Sequence, residues 1–246
     1  MRNNEYKMLS GLDLAMMEFP EDKFIIQDLV PKGLVILSAE LLDTGRSLAM
    51  DMSMRVAKGE KLWKMDTRQG AVLYMIHHYA LATARNLIMD MTVRIPDDFY
   101  VGVMIEDSLE LALTGVKSFV KNHDNVSMVV IEMRGMVEQF EDAVYVPADT
   151  LPQYMALREF ALEHGIAVMV VLTSDTYHVS RGKVSDEDLN CVTDKSDGHI
   201  DMCVLNGDNT EAMLRVVTPP RDPKLWSTEY HRKNHHWEER NESDHP

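Results

Sequence analysis

The residues best placed to do chemistry lie between Glu40 and Ser47, where the chain reads Glu-Leu-Leu-Asp-Thr-Gly-Arg-Ser. A glycine, a cation and a hydroxyl in succession, at the mouth of a helix, are the groups that hold phosphates. Backbone N–H groups and the helix N-terminus face the anion, a lysine reaches the β- and γ-phosphates, and a serine or threonine hydroxyl holds Mg²⁺. The full pattern is G-x-x-x-x-G-K-[ST]. Gly45 and Ser47 fit it, whereas Arg46 stands where the lysine belongs and Glu40 where the first glycine belongs. Arg46 keeps a positive charge, but a guanidinium is longer and bulkier than an ammonium and substitutes poorly at a point-charge site. Glu40 adds a negative charge beside the phosphates. Thr44 and Leu48 complete the candidate cofactor-binding window. The plainer alternative is an ordinary strand–turn–helix connection in which Gly45 eases the turn and Ser47 caps the helix.

The elements that must position this window alternate along the chain. Apolar, strand-like runs fall at 34–37, 71–76, 99–104, 127–133 and 166–172. Helix-like segments fall at 47–58, 81–91, 108–122 and 152–164, with Gly59 and Gly165 as stops. Residues 199–205 and 212–217 read as a hairpin turned by Asn206-Gly207-Asp208-Asn209. Near-continuous apolar strands separated by helices predict an α/β fold: a mainly parallel sheet covered on both faces, with 34–37, 127–133 and 166–172 side by side. The closing hairpin adds antiparallel strands at one edge. Residues 174–198 read as loop, and the charged composition beyond Pro219-Pro220 predicts a disordered tail that folding does not need.

Composition narrows the classes. The net charge of −15 argues against a broad basic surface for non-specific DNA binding, though a local basic channel remains compatible with it. No apolar run approaches the roughly 18 residues of a membrane span, and the N-terminal segment lacks the apolar centre of a signal peptide. Cys191 and Cys203 form no framework and suit a reducing cytoplasm. Met50, Met52 and Met54, spaced by two, cannot share one helix face and read as adaptable core filler.

The order of segments resembles the RecA-like P-loop ATPases of the plasmid replicative-helicase type, the RepA-like, AAA-family proteins of plasmids, phages and integrated elements. The resemblance covers residues 24–222 and rests on "DLVPKGLVILSAE", "SLAMDMSMRVAKGEKLW", "TRQGAVLYM", "VSMVVIEM" and "LREFALEHGIAVMVVL". It implies a lead-in segment 1–23, a RecA-like domain 24–221 with ATP and Mg²⁺ as cofactors, and a tail 222–246. It also implies a homo-oligomer, ring-shaped in such proteins, with DNA or replication proteins as partners. On its pattern, Glu132 takes the Walker B place, with Ser47 as the other Mg²⁺ ligand, and Arg221 is the residue that reaches a neighbouring subunit's nucleotide. The acidic residue that polarises water in such proteins is replaced by Ile76-His77-His78-Tyr79, and the later His by Thr173-Ser174-Asp175. The resemblance therefore predicts weak or absent ATP hydrolysis, with a non-catalytic interaction module as the alternative. Plainer roles stand beside each residue: Glu132 as a polar strand end, Arg221 as part of the tail, and His77-His78 and His231, His235 and His236 as surface or core side chains rather than metal ligands.

Overall fold

A computed structural model describes residues 10–16, 23–39, 41–106, 108–133, 138–140, 143–147, 149–173, 189–218 and 223–240. Glu40 and Arg221, and most of the lead-in segment, lie outside the described residues. The chain runs α1 (Gly11–Met16), β1 (Phe24–Ile26), β2 (Val30–Pro31), β3 (Gly33–Ala39), α2 (Leu42–Lys58), β4 (Ala71–His77), α3 (Leu81–Met91), β5 (Phe99–Met104), α4 (Leu109–Asn122) and β6 (Val126–Glu132). It continues through β7 (Glu138–Phe140), β8 (Ala143–Pro147), α5 (Leu151–His164), β9 (Ala167–Thr173), β10 (Leu189–Cys191), β11 (Gly198–Val204), β12 (Glu211–Val217), β13 (Lys224–His231) and β14 (His236–Glu239).

Nine strands form one sheet in the order β14-β13-β12-β11-β3-β9-β6-β4-β5. From β11 to β5 every neighbour is parallel, and β12, β13 and β14 extend the sheet as an antiparallel meander. The strands β3, β9 and β6 lie side by side, as their apolar composition predicts. Alternation sends their side chains into two cores. Val35 and Leu37 join α2 and α3 on one face, while Leu34 and Ile36 join α4 and α5 on the other. Gly33 opens β3 at φ +105°, where an added Cβ would fall 2.1 Å from the Asp197 carboxylate. That carboxylate accepts the Leu34 N–H and a paired donation from Arg158.

Residues 174–198, read as loop, include β10, which pairs antiparallel with β8, and two larger expectations need correction. The segment 222–246, expected to be a disordered tail, contains β13 and β14, both hydrogen-bonded into the main sheet. Its charges misled because an antiparallel edge strand needs only alternate residues buried. Thr228 and Trp237 are fully buried, and the charged neighbours point outward. The second correction concerns α2, expected over 47–58, which begins at Leu42. Its methionines do face different directions, yet Met50, Met52 and Met54 are all buried. The sheet covers one side of α2, and Trp237 with the rest of β14 covers the other.

Candidate functional site

The six parallel strands bring the carboxyl ends of β3, β9, β6 and β4 to one edge, where open α/β sheets bind ligands. The chain leaves β4 outward toward β5 and leaves β6 inward toward β9, so their connections diverge at this edge. The N-terminus of α2 stands over it. Only positions 40 and 41 separate β3 from α2, so Thr44, Gly45, Arg46, Ser47 and Leu48 are helical rather than part of a loop. The Gly45 N–H donates to the Leu41 carbonyl at 3.1 Å, as a helical amide does. A phosphate loop needs a run of unbonded amides curled about the anion; from Gly45 onward the amides belong to the helix.

Arg46 turns inward. Its Nε donates to Glu132 Oε1 at 2.9 Å and its Nη2 to Glu132 Oε2 at 2.9 Å, while Nη1 reaches Asp43 Oδ1 at 3.0 Å. Tyr74 on β4 donates its hydroxyl to Glu132 Oε1 at 2.9 Å. Both Glu132 oxygens are thus satisfied by protein donors. Burial disfavours the Arg46 charge, but the hydrogen bonds and charge of Glu132 outweigh it and hold the pKa above the usual value. Burial, followed by the Glu132 carboxylate, pushes Tyr74 well above the usual tyrosine value, so it stays a neutral donor. The resemblance implies that Arg46 and Glu132 stand at two poles of a phosphate–Mg²⁺ site; the structure brings them together and joins them to each other.

Ser47 is also engaged. Its hydroxyl donates to the Thr44 carbonyl at 2.9 Å and accepts the Trp237 indole N–H at 2.9 Å. Thr44 donates to the Leu41 carbonyl, and Leu48 is a core residue. One turn further on, the fully buried Asp51 accepts from Arg55 Nε, His236 Nδ1 and the Trp237 backbone N–H, at 2.8, 2.7 and 3.0 Å. The C-terminal strands are thereby fastened to α2. Between them remains an open cleft of about 410 Å³ lined by residues that include Thr44, Ser47, Asn209, Tyr230 and Arg232.

The histidines do not gather. His231 faces Glu238, His235 faces Tyr230 and Asp90, and His236 faces Asp51. Among the described residues no group of three His, Cys, Asp or Glu is placed to hold a metal. Neighbours on a strand face opposite ways, but β4 ends at His77 and a 3₁₀ turn follows, leaving the rings of His77 and His78 4.7 Å apart. His77 Nδ1 is buried without a hydrogen-bond partner, the one such side-chain atom among the described residues. A polar trio on β3 and β11, with Ser38 and His199 buried and Asp201 half-buried, had no signal in the sequence. Ser38 donates to Asp201 Oδ1 at 2.7 Å and lies 2.9 Å from His199 Nε2. The single hydroxyl proton goes to the carboxylate, so His199 acts as donor to Ser38, the reverse of a base activating a nucleophile. Alternation on β11 puts His199 and Asp201 on one side, a pairing legible only once β11 is known to lie beside β3.

The fold and site define an α/β protein with a large mixed sheet flanked by helices and a self-bonded polar network at the carboxyl edge of its parallel strands. No family model matches the chain, and no curated protein matches it.

Proposed function

We propose that this chain is a RecA-like ATPase-family domain that does not turn over ATP and serves as an interaction module in the replication of a plasmid, phage or other mobile element. The fold part of this reading is supported by the parallel sheet with α2 rising from β3. The link to replication is supported by the resemblance of segment order. The observation that carries the loss of turnover is the buried Arg46–Glu132 pair. The cation that should meet phosphate and the carboxylate that should meet Mg²⁺ neutralise each other. Ser47 gives its lone pair to Trp237, and the end of β4 offers His77 and His78 in place of a carboxylate base. Loss of a general base alone costs about 10²–10⁴-fold in rate.

A second reading, ATP–Mg²⁺ binding with weak hydrolysis in a homo-oligomer, is favoured by the cleft beside the α2 N-terminus, where the first-turn amides lack a side-chain cap. Calorimetric titration with ATP and Mg²⁺, together with a phosphate-release assay, separates the two. The expected result is neither heat of binding nor Mg²⁺-dependent release. Binding without release supports the second reading. Hydrolysis at an ordinary rate that Glu132→Gln abolishes would overturn the loss of turnover.

A further inference from the structure

The margin of the main sheet at β5 is unfinished. β5 pairs with β4 on one side, and no described residue pairs with its other side. The Val72 N–H donates to the Asp98 carbonyl at 2.8 Å. In a parallel ladder this turns the backbone groups of the even-numbered residues toward β4 and those of the odd-numbered residues outward. Phe99 N–H is taken by the Pro96 carbonyl at 3.2 Å. The Phe99 carbonyl and both backbone groups of Val101 and Val103 face the open side. Edge strands are ordinarily blunted by lysine, proline or a bulge. Residues 99–105 read Phe-Tyr-Val-Gly-Val-Met-Ile, without a charge or a proline. Val101, Val103 and Ile105 are 40%, 50% and 78% exposed. Exposed apolar residues scattered singly mean little, whereas a contiguous set marks an interaction surface.

We propose that β5 is a self-association edge: two copies of this chain pair β5 with β5, antiparallel, about a two-fold axis at Val101, and so join their sheets into one. Backbone parity restricts the pairing to registers that oppose odd-numbered residues to odd-numbered ones. With the axis at Val101, Phe99 faces Val103 of the second copy and Tyr100 faces its Gly102. The two Val101 residues exchange both their hydrogen bonds, and each Val103 N–H donates to a Phe99 carbonyl. Tyr100 then covers the side-chain-free backbone of Gly102, a favourable cross-strand match. Asp97 and Asp98 fall opposite Ile105 and Met104, so no like charges are directly opposed. Sliding the axis to Gly102 would set Asp98 against Glu106, and sliding it to Tyr100 would leave only residues 99–101 of the strand paired with one another. Charge also selects the occupant. Each copy carries −15, which opposes contact between copies wherever charges face one another, so a second copy can seat only along an uncharged strip such as 99–105. A basic partner would find carboxylates only beyond its ends, at Asp97, Asp98 and Glu106. Such a contact is isologous and closes at two copies, which distinguishes it from a ring. It is independent of whether ATP binds.

Sedimentation velocity and cysteine cross-linking test it. The wild-type chain should sediment as a dimer. Val101→Asp places two carboxylates against each other on the axis and should raise the dimer dissociation constant more than about tenfold, with unchanged circular dichroism. Val103→Lys should do the same, and it decides the matter if Val101→Asp fails to fold. In a Cys191→Ser, Cys203→Ser background, Val101→Cys should form a disulfide dimer on mild oxidation, because directly opposed Cα atoms in a hydrogen-bonded pair lie within disulfide reach. Leu225→Cys, exposed on β13 near the other end of the sheet, should not. A monomeric wild type, a dimer indifferent to both edge charges, or equal cross-linking at 225 would overturn the proposal.

Discussion

Replacing Glu132 by alanine asks whether the Arg46–Glu132 pair is formed in solution. The two side chains are 6% and 7% exposed, so neither charge has water to fall back on. Glu132→Ala leaves the guanidinium buried with Asp43 as its remaining carboxylate, and that residue is largely exposed. It also removes the acceptor of the buried Tyr74 hydroxyl. Breaking one side of a buried pair costs about 3–5 kcal/mol, which for a domain of this size lowers Tm by about 6–20 °C at 2–4 °C per kcal/mol. Arg46→Met should cost a similar amount by stranding the carboxylate. The triple variant Arg46→Met, Glu132→Leu, Tyr74→Phe removes every unsatisfied group at once and should return to within about 2 kcal/mol of the parent, because an apolar replacement of a buried pair is often neutral or stabilising. Urea unfolding of the four proteins, monitored by circular dichroism, gives the comparison. If Glu132→Ala costs less than about 1 kcal/mol, the value of an exposed pair, then Arg46 and Glu132 stand apart in solution, free to meet a ligand. The proposal that this pair keeps the chain from turning over ATP would then fail.

Three further outcomes follow from the same geometry. Trp237→Ala should cost about 3–5 kcal/mol as a fully buried aromatic, and a chain ending at residue 223 should melt well below the full-length protein; equal thermal melts would restore the dispensable tail. Ser47→Ala, which leaves the Trp237 indole N–H without its acceptor, should cost about 1–3 kcal/mol in urea unfolding and change nothing in ATP titrations. Tyr74 is held protonated mainly by burial, well above the value of 10.0 at which the unfolded chain releases that proton. Its contribution is therefore fully present below about pH 10 and is lost as pH rises from there toward the folded-state pKa. Unfolding free energies between about pH 8 and 11 should fall at the alkaline end, and less steeply in Tyr74→Phe. Tyr230, which burial also raises, adds a fall of the same sign.

Much of the main sheet was legible because its strands are apolar on both faces, and a run such as Val-Met-Val-Val-Leu has no other place to go. The helices α3, α4 and α5 fell where periodicity put them, with Ser108 capping α4 through a hydrogen bond to the Leu111 N–H. The C-terminal strands were not legible. Their charged residues alternate with few apolar ones, and their stability comes from β12 on one side and α2 on the other, partners distant in sequence. The site was legible as a set of residue types. What those residues touch was not, because Arg46 and Glu132 are 86 positions apart and meet only through the strand order.

The onset of α2 decides what the Gly-Arg-Ser triplet does. Read as a turn, Gly45 would leave a loop of free amides and set Ser47 at the helix mouth. A glycine inside a helix costs only about 1 kcal/mol relative to alanine, and several local terms exceed it. Asp43 lies in the first turn, where a negative charge favours the helix dipole. Thr44 and Leu48 are buried from helical positions, and Arg46 reaches Glu132 from another. The Lys-to-Arg difference contributes here through shape. A planar fork can bind one carboxylate through two nitrogens and a second through the third, as Arg46 does with Glu132 and Asp43. A lysine is a point charge and could not make both bonds in that geometry. A guanidinium at position 46 thus suits a phosphate site poorly and at the same time locks the first turns of α2 onto β6.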